Sequence, residues 1–376
     1  MNYIVWMPVF FYFSAFYTQR SEAFGEQAKT PPRGWNSYDS FSWTINEEEF
    51  LQSAQIVSEK LLTHGYDTVV VDYLWYRRNL NGDAHADSLG LNMIDEWGRM
   101  IPDPDRWPSS RGGIGFSEVS KKVHAMGLKF GIHIMRGIST QAVNANTPIL
   151  DVTTGTAYTE SGRQWYAKDI GLTDRTCPWM SHGFMSVNTN LGAAKAFLRS
   201  LQQQYADWGV DFGNLCWGNP STFASAHLIG DPGLNGYSWP DLDMLPIGWL
   251  TDPGKQDFLS PIFVHIDEVR TQMTLWSMAK SPIMFGGDVR KLDDTTYNII
   301  ANPTLLEINS FSENNVQIKP RSWVATGRAV QQRNLTTATC THSEVWTATD
   351  YGVIPRGTLL REVAPHGCAL FVIKCM

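Results

Sequence analysis

The sequence alternates short apolar runs rich in β-branched residues with longer segments of helical period. Its clearest apolar run covers residues 67–75, DTVVVDYLW, and stays apolar until Asp72. A strand buried on both faces of a parallel sheet shows such a run, with polar residues only at its carboxyl end. A helical segment capped by Asn46, with acids in its first turn, precedes it. This alternation predicts βα units that build a parallel sheet.

Six strand-like units can be recognised in this pattern. They lie at residues 33–38, 67–75, 128–134, 209–212, 239–245 and 281–286. From about residue 319 onward the pattern changes to short alternating segments separated by turn residues, which predicts a small antiparallel β-domain over residues 319–376. Two long polar segments, residues 76–115 and 137–190, are either loops that build a site or plain surface insertions.

The N-terminal residues contain an apolar run from about Tyr3 to Tyr17, followed by polar and small residues. The run is shorter than the roughly 20 apolar residues that a membrane span needs. It therefore predicts a signal peptide over residues 1–24, with an uncleaved anchor as the alternative. The five cysteines lack the spacing of zinc sites, so in a secreted chain they predict one or two disulfides.

The formal net charge of -7 comes from charges scattered along the chain rather than from blocks. This distribution argues against a nucleic-acid partner and against stable association with an anionic membrane. An uncharged small molecule fits better. Aromatic residues make up 12% of the chain, and aromatic rings stack on the apolar faces of sugars, although most such rings fill a core.

Four segments carry a specific resemblance to a known family. They are PPRGWNSYDSF (31–41), VVVDYLW (69–75), DEWGRMIPDPDRWP with GLKFGIH (within 95–133) and SWPDLDMLPIG (238–248). The sequence resembles glycoside hydrolase family 27, the α-galactosidases or melibiases, and most closely the plant melibiase-like branch. The resemblance implies an α/β fold, a (β/α)8 TIM barrel over residues 31–315 with a C-terminal antiparallel β-domain. It also implies a secreted, cell-wall or vacuolar enzyme that needs no cofactor or metal.

The same resemblance implies retaining hydrolysis of terminal α-galactosyl or β-L-arabinopyranosyl units of oligosaccharides or cell-wall glycans. Carried over by matching motifs, Trp35 would form a wall of the sugar pocket, and Asp72 and Asp243 would bind sugar hydroxyls. His133 would be a pocket residue. The alternatives are that Trp35 belongs to the core, that His133 is a buried histidine with satisfied hydrogen bonds, and that Asp243 is a cap or turn residue.

Tyr73 departs from the family pattern, because relatives have a second acid after the first one at this position. That acid faces the exocyclic hydroxymethyl group of galactose. Tyr73 would crowd this space and favour a pentopyranose such as β-L-arabinopyranose.

The segments that carry the catalytic carboxylates in the family are missing from the sequence. Retaining glycosidases need two carboxyl groups about 5 to 5.5 Å apart, a nucleophile and a general acid. The family's K-x-D-C and R-x-x-G-D motifs do not follow the strand ending at Phe212. Residues 213–238 number only 26, and a βαβ crossover takes about 30 or more. The barrel is therefore predicted to hold about six units, with a deletion near residues 212–238.

Three consequences follow from the missing segments. Asp211 and Asp207 are poor substitutes for a nucleophile, since Asp211 would point to the opposite side of its strand and Asp207 belongs to the preceding helix. Cys177 would pair in relatives with a cysteine of the lost motif, and Cys216 could stand in for that partner. The chain is predicted to be catalytically impaired; the alternatives are a non-catalytic sugar-binding remnant and an unstable truncated isoform.

Overall fold

The computed structural model describes most of the chain between Thr30 and Cys375. The described residues are 30–78, 91–178, 180–215, 239, 241–250, 265–312, 315–318, 326–329, 340–353, 363 and 367–375. The predicted signal peptide, Cys216 and most of the predicted deletion region lie outside them. Among the described helices, none combines the length and the apolar character that a membrane span requires.

The centre of the molecule is a parallel sheet of five strands. They are β1 (Arg33–Asn36), β2 (Thr68–Val71), β5 (Lys129–Ile134), β13 (Phe212–Leu215) and β14 (Ile283–Phe285). Their spatial order is β13-β5-β2-β1-β14. Leu245 adds a parallel bridge to Phe285 at the β14 edge. All six predicted strand units therefore contribute to one parallel sheet, in the order that a (β/α) barrel requires.

Helices lie between the strands of this α/β domain and after its last strand. They are α1 (Tyr38–Phe41), α2 (Glu47–Lys60), α3 (Ser117–Ala125), α4 (Thr140–Ala145), α5 (Ala167–Ile170), α6 (Gly192–Asp207), α7 (Ile266–Ala279), α8 (Asp294–Ile300) and α9 (Pro303–Phe311). Short 3-10 turns lie at Leu62–His64, Pro108–Ser110 and Val289–Lys291.

The helix α2 shows why the sequence prediction of this region succeeds. Asn46 accepts the backbone N–H of Glu49 at 3.0 Å, and the Glu49 carboxylate accepts the backbone N–H of Asn46 at 3.2 Å. This capping box satisfies two N–H groups that a helix start leaves free. Phe50, on the buried side of α2, has no exposed surface and packs against Trp107 and Phe130.

The fourth predicted strand begins later than the sequence indicated. The prediction placed it at residues 209–212, whereas β13 begins at Phe212 and pairs with β5 from Gly131 onward. Gly209 has φ +75 and ends the turn after α6, so the chain enters the sheet only after this residue.

The long segment 137–190 is not featureless. It contains an antiparallel sheet of three strands, β6 (Ile138–Ser139), β11 (Gly171–Cys177) and β12 (Met180–Val187), in the order β11-β12-β6. Smaller strand pairs of the two long segments are β3 (Arg77–Arg78) with β4 (Leu91–Asn92), β7 (Leu150–Asp151) with β8 (Thr156–Ala157), and β9 (Thr159–Glu160) with β10 (Arg163–Gln164).

The C-terminal part is antiparallel, as predicted. Its strands are β15 (Asn315–Ile318) with β16 (Thr326–Ala329), and β17 (Cys340–Glu344) between β18 (Thr349–Val353) and β19 (Phe371–Cys375). Trp346 donates its indole N–H to the Thr274 hydroxyl of α7 at 3.2 Å, so this sheet contacts the barrel domain. The fold class, an α/β barrel domain with a C-terminal β-domain, is thus confirmed.

Candidate functional site

Polar side chains gather where the parallel strands end. Asn36 pairs in register with Val70, and Val70 pairs with Gly131. Side chains alternate between the two faces of a strand, so Asn36, Asp72 and His133 project from the same face. In a (β/α) barrel, residues at the carboxyl ends of the strands form the site. We call Asn36, Asp39, Asp72, His133 and Asp243 the strand-end cluster.

Asp72 lies at the centre of this cluster and is held firmly. It follows β2, whose four residues are all buried, and it is itself only 5% exposed. The Asn36 amide donates to Asp72 Oδ2 at 2.8 Å, and the backbone N–H of Tyr73 donates to Oδ1 at 2.7 Å. The Asp72 backbone N–H donates to the Ser37 hydroxyl at 2.9 Å. These bonds fix the direction of the carboxylate.

His133 lies beside Asp72 on the neighbouring strand and is 7% exposed. Burial lowers the pKa of its imidazole, while the charge of Asp72 opposes that shift. Its Nδ1 is buried without a hydrogen-bond partner among the described residues. A buried polar atom without a partner has a cost, which a ligand hydroxyl would remove.

Trp35 is not a wall of the cleft, contrary to the sequence prediction. It precedes Asn36 by one residue and so projects from the opposite face of β1. Its side chain has no exposed surface, lies 6.0 Å from the Phe50 ring of α2 and donates its indole N–H to the Gly287 carbonyl at 2.9 Å. The structure thus supports the alternative, in which Trp35 belongs to the core between sheet and helix.

The aromatic surface of the cluster comes from Tyr38 and Tyr73 instead. Their ring centroids are 5.3 Å apart, and Tyr38 is 40% exposed. Burial, with the nearby Tyr73 and the acids Asp72, Asp39 and Asp243, raises the pKa of Tyr38 to about 12. Its hydroxyl is therefore neutral across the physiological range. Tyr38 was not among the predicted site residues, although it lies two positions after Asn36.

Tyr73 is half-buried and lies next to Asp72 in the chain. Its hydroxyl lies 3.3 Å from the Ser42 hydroxyl, and its ring is 6.3 Å from the His133 ring in an edge-on arrangement. A bulky ring thus occupies the position that follows Asp72.

Asp39 is a further acid of the cluster that was not among the predicted site residues. It follows β1 in the short helix α1, and its Oδ2 is buried without a hydrogen-bond partner in the described part of the chain. Burial, followed by the charges of Asp243 and Asp72, raises the pKa of Asp39 to about 7. A Cβ placed on Gly286 would lie 1.9 Å from Asp39 Oδ2, so only glycine leaves room for this carboxyl group.

Asp243 reaches the cluster from the segment that precedes the Leu245 bridge. It is exposed and has φ +76, an uncommon backbone conformation for a residue other than glycine. Its backbone N–H donates to Asp241 Oδ1 at 2.9 Å, and its carbonyl accepts the Trp276 indole N–H of α7 at 2.8 Å. Asp243 is therefore a turn residue and at the same time a neighbour of Asp39.

Asp211 points away from the cluster, as predicted from strand alternation. Its Oδ2 accepts the backbone N–H of Phe130 at 2.8 Å and lies 2.7 Å from His124 Nε2 of the outer helix α3. Asp207 lies on α6, where it accepts the Gln203 amide at 2.8 Å. Neither carboxylate can act at the strand ends.

Two further observations concern metals and thiols. Within the described residues no group of three or more His, Cys, Asp or Glu side chains could hold a metal ion. Cys177 is a free thiol, and Cys216, its predicted partner, lies outside the described residues.

Several characterised proteins are similar to this chain in sequence. It is 28% identical over 300 residues to α-galactosidase 3 of Arabidopsis thaliana, covering 75% of this chain and 60% of that protein. It is 24% identical over 333 residues to α-galactosidase A of Cellvibrio japonicus, covering 82% and 73%. The rat α-N-acetylgalactosaminidase is 27% identical over 317 residues, covering 75% and 68%. No protein-family model matches the chain.

Two solved structures are also similar to this chain. A GH27 β-L-arabinopyranosidase from Geobacillus stearothermophilus, in complex with arabinose, superposes with a TM-score of 0.78 at 27% identity, covering 94% of this chain and 98% of that one. α-Galactosidase I of Mortierella vinacea superposes with a TM-score of 0.52 at 16% identity, covering 93% and 94%, and shares the fold.

Proposed function

We propose that this chain, whose homologues are glycosidases of family GH27, binds the terminal sugar of a galactosyl or arabinopyranosyl glycan at the strand-end cluster. The observation that carries the proposal is the fixed carboxylate of Asp72. Its two oxygens are oriented by Asn36 and by the Tyr73 backbone, and no cation neutralises it among the described residues. Such a carboxylate accepts hydrogen bonds from the hydroxyls of a neutral ligand.

The surroundings of Asp72 suit a sugar ring. His133 Nδ1 offers an unused hydrogen-bonding atom beside it, and Tyr38 offers an exposed aromatic face. Asp243 contributes a third polar group from the opposite edge of the sheet. Pockets for neutral ligands combine aromatic surface with a few convergent polar groups in this way.

The sugar that fits best is a pentopyranose with galactose-like stereochemistry, such as β-L-arabinopyranose. The Tyr73 ring lies between Ser42 and His133 in the position after Asp72, and its bulk supports this choice because it would leave less room for the hydroxymethyl group of a hexose. Of the two solved structures described above, the one with the higher TM-score is the Geobacillus β-L-arabinopyranosidase, which supports this choice. Comparing the affinities of L-arabinose and D-galactose by calorimetry tests it, and a tenfold preference for galactose would reject it.

We propose further that the chain hydrolyses its ligand poorly or not at all. Retaining hydrolysis needs a nucleophile and a general acid that face each other across the glycosidic bond. The acid nearest to β13, Asp211, is bound to the outer helix, and the family's two motifs are missing from the sequence. The chain is then a sugar-binding remnant of a hydrolase, and the alternative is a truncated isoform of low stability.

Activity and binding assays separate these alternatives. The purified chain is incubated with p-nitrophenyl α-galactoside and p-nitrophenyl β-L-arabinopyranoside, and free arabinose is titrated by calorimetry. Binding without hydrolysis supports the remnant. Hydrolysis that is lost in Asp243→Asn would show an active enzyme, and a broad thermal melt with neither activity nor binding would favour the unstable isoform.

We also propose that the chain carries a deletion near residues 212–238 and that it belongs to the plant branch of the family. The sheet order supports a deletion, because β13 and Leu245 lie at opposite edges and 26 residues at 213–238 leave little room for two further units. Sequencing the transcript across the codons for Phe212 and Gly213 tests it. A longer transcript that encodes the K-x-D-C motif would show that the deletion is not a property of the gene.

We also propose that the chain is secreted after cleavage of residues 1–24 and reaches the cell wall or vacuole. Cys340 lies directly opposite Cys375 in the register of β17 and β19, which suits a disulfide of a secreted protein. N-terminal sequencing of protein from culture medium tests the cleavage site. Peptide mapping without reduction tests the disulfide, and a free thiol at Cys375 would reject it.

A further inference from the structure

The three acids of the strand-end cluster differ in how their oxygens are used. Both oxygens of Asp72 accept hydrogen bonds, and Asp243 Oδ1 accepts the backbone N–H of Met244 at 2.8 Å. Asp39 Oδ2 is buried and accepts none within the described residues. Of these three acids, Asp39 is therefore the one with a buried oxygen that can still form a hydrogen bond.

The charges around Asp39 all have the same sign. They belong to Asp72, which follows β2, and to Asp243, which precedes the Leu245 bridge. The adjacent residue in α1, Tyr38, is neutral. From the β14 side, Gly286 contributes only backbone. Within the described residues no Lys, Arg or His forms an ion pair with Asp39. Like charges without a counter-ion disfavour the ionised carboxylate and favour the neutral acid, whose O–H group is a hydrogen-bond donor.

A second observation at the same place indicates a ligand. His133 is more than nine-tenths buried, lies beside Asp72 on the same face of the sheet, and its Nδ1 has no partner among the described residues. Two polar atoms without partners in the described residues, Asp39 Oδ2 and His133 Nδ1, thus lie near the oriented Asp72 carboxylate, where the hydroxyls of a ligand could pair with them. Asp39 is only half-buried, so part of the residue stays open to solvent.

We propose that Asp39 is a further sugar-binding residue, which donates a hydrogen bond from its neutral carboxyl group to an oxygen of the ligand. The inference rests on the proposed function, since it names an additional contact of the same cleft. It assigns opposite roles to neighbouring acids: Asp72 accepts hydrogen bonds from sugar hydroxyls, and Asp39 donates one. Ionisation of Asp39 removes the donor and adds a third negative charge, so sugar affinity falls as the pH rises through the pKa of Asp39, about 7.

The test is calorimetric titration of L-arabinose into wild-type protein, Asp39→Asn and Asp207→Asn at pH 5.5, 6.5, 7.5 and 8.5. The side-chain amide introduced by Asp39→Asn donates a hydrogen bond at every pH. For wild type the Kd rises up to about tenfold per pH unit above pH 7, the limit for linkage to one proton. Asp39→Asn keeps its affinity across the range. Asp207→Asn, which replaces an exposed acid on α6, is the matched control and follows wild type.

The possible outcomes separate the two proposals. If wild type binds no sugar at any pH, the proposed function fails and the role of Asp39 fails with it. If wild type binds with an affinity that does not change with pH, or if Asp39→Asn shows the same pH dependence as wild type, the role of Asp39 alone is rejected.

A second measurement covers the case in which Asp39→Asn does not fold. Carboxyl carbon NMR of wild type follows the Asp resonance that titrates near pH 7. Saturating arabinose should raise this midpoint by at least about half a pH unit, because the ligand binds the neutral form. A midpoint that stays unchanged or falls on addition of sugar contradicts the proposal.

Discussion

The raised pKa of Asp39 predicts a measurable dependence of folding stability on pH. In an unfolded chain the carboxyl group titrates near 3.8, whereas in the fold burial and the charges of Asp243 and Asp72 raise its pKa to about 7. A raised pKa means that the protonated form stabilises the fold. This contribution is complete below the unfolded value and is lost as the pH rises through the folded one.

The size of the effect follows from the two pKa values. A shift of about 3 units corresponds to about 4 kcal/mol, since each unit is worth about 1.36 kcal/mol. At pH 5 the unfolded carboxyl group is already mostly ionised, so the part lost between pH 5 and pH 8 is about 2.5 kcal/mol. Replacing Asp39 with asparagine removes the titration and keeps the shape of the side chain.

The assay is urea denaturation of wild type and Asp39→Asn at pH 5 and pH 8. The other ionisable groups also change the free energy of unfolding of each protein between the two pH values. This change is common to both proteins and cancels in the difference between them. We expect Asp39→Asn to gain about 2.5 kcal/mol relative to wild type on going from pH 5 to pH 8. Asp207→Asn should show no such gain. If Asp39→Asn and wild type change in parallel, Asp39 is ionised in the fold at neutral pH and the reasoning is wrong.

Three further predictions concern the cleft and the sheet. Tyr38→Ala should raise the arabinose Kd by about tenfold, the value of one aromatic contact. Trp35→Phe should lower the melting temperature and leave the arabinose Kd within about twofold of wild type. The reverse result would restore Trp35 as the cleft wall. Gly34→Ala should lower the free energy of unfolding in urea by about 3 kcal/mol, because its Cβ would lie 2.2 Å from the Thr68 carbonyl oxygen. Gly112→Ala, whose Cβ would have open space around it, should lower it by about 1 kcal/mol. Equal losses would contradict the close approach of β1 and β2. Asp211→Ala should cost about 1 to 3 kcal/mol, since the Phe130 N–H loses its acceptor, with no change in arabinose Kd; a weaker Kd would place Asp211 in the cleft.

The fold could be predicted where local signals and tertiary packing agree. The apolar run before Asp72 became a strand buried on both faces, and Asn46 caps the helix that its sequence indicated. The start of β13 was placed too early. The sequence GVDF is apolar enough for a strand from its first residue, but the left-handed turn at Gly209 delays entry into the sheet.

The positions of the candidate site residues were predicted in part. Asp72, His133 and Asp243 do gather at the strand ends, because the carboxyl ends of parallel strands lie on one side of a sheet. Trp35 was misplaced because a motif match does not tell which face of a strand a residue occupies. Only the register of the folded sheet, which pairs Asn36 with Val70 and so places it on the face of Asp72, shows that Trp35 lies on the opposite face.

Asp39 could not have been found from its local sequence. Nothing in SYDSF distinguishes it from an ordinary helix-start acid. Its properties come from Gly286 and Asp243, which the chain brings close only when the last strand packs beside the first. A group whose environment is built by distant segments carries no signature in its neighbours along the chain.

The four residues of β1 divide two tasks between their faces. Trp35 ties the strand to the segment after β14 and to α2, while Asn36 orients Asp72 on the opposite side. Because the two sets of contacts do not share side chains, ligand preference and packing can be altered independently. A designer who wished to restore or redirect sugar recognition could vary Asn36, Asp72 and His133, which project from one face of the sheet, while leaving the opposite face as it stands.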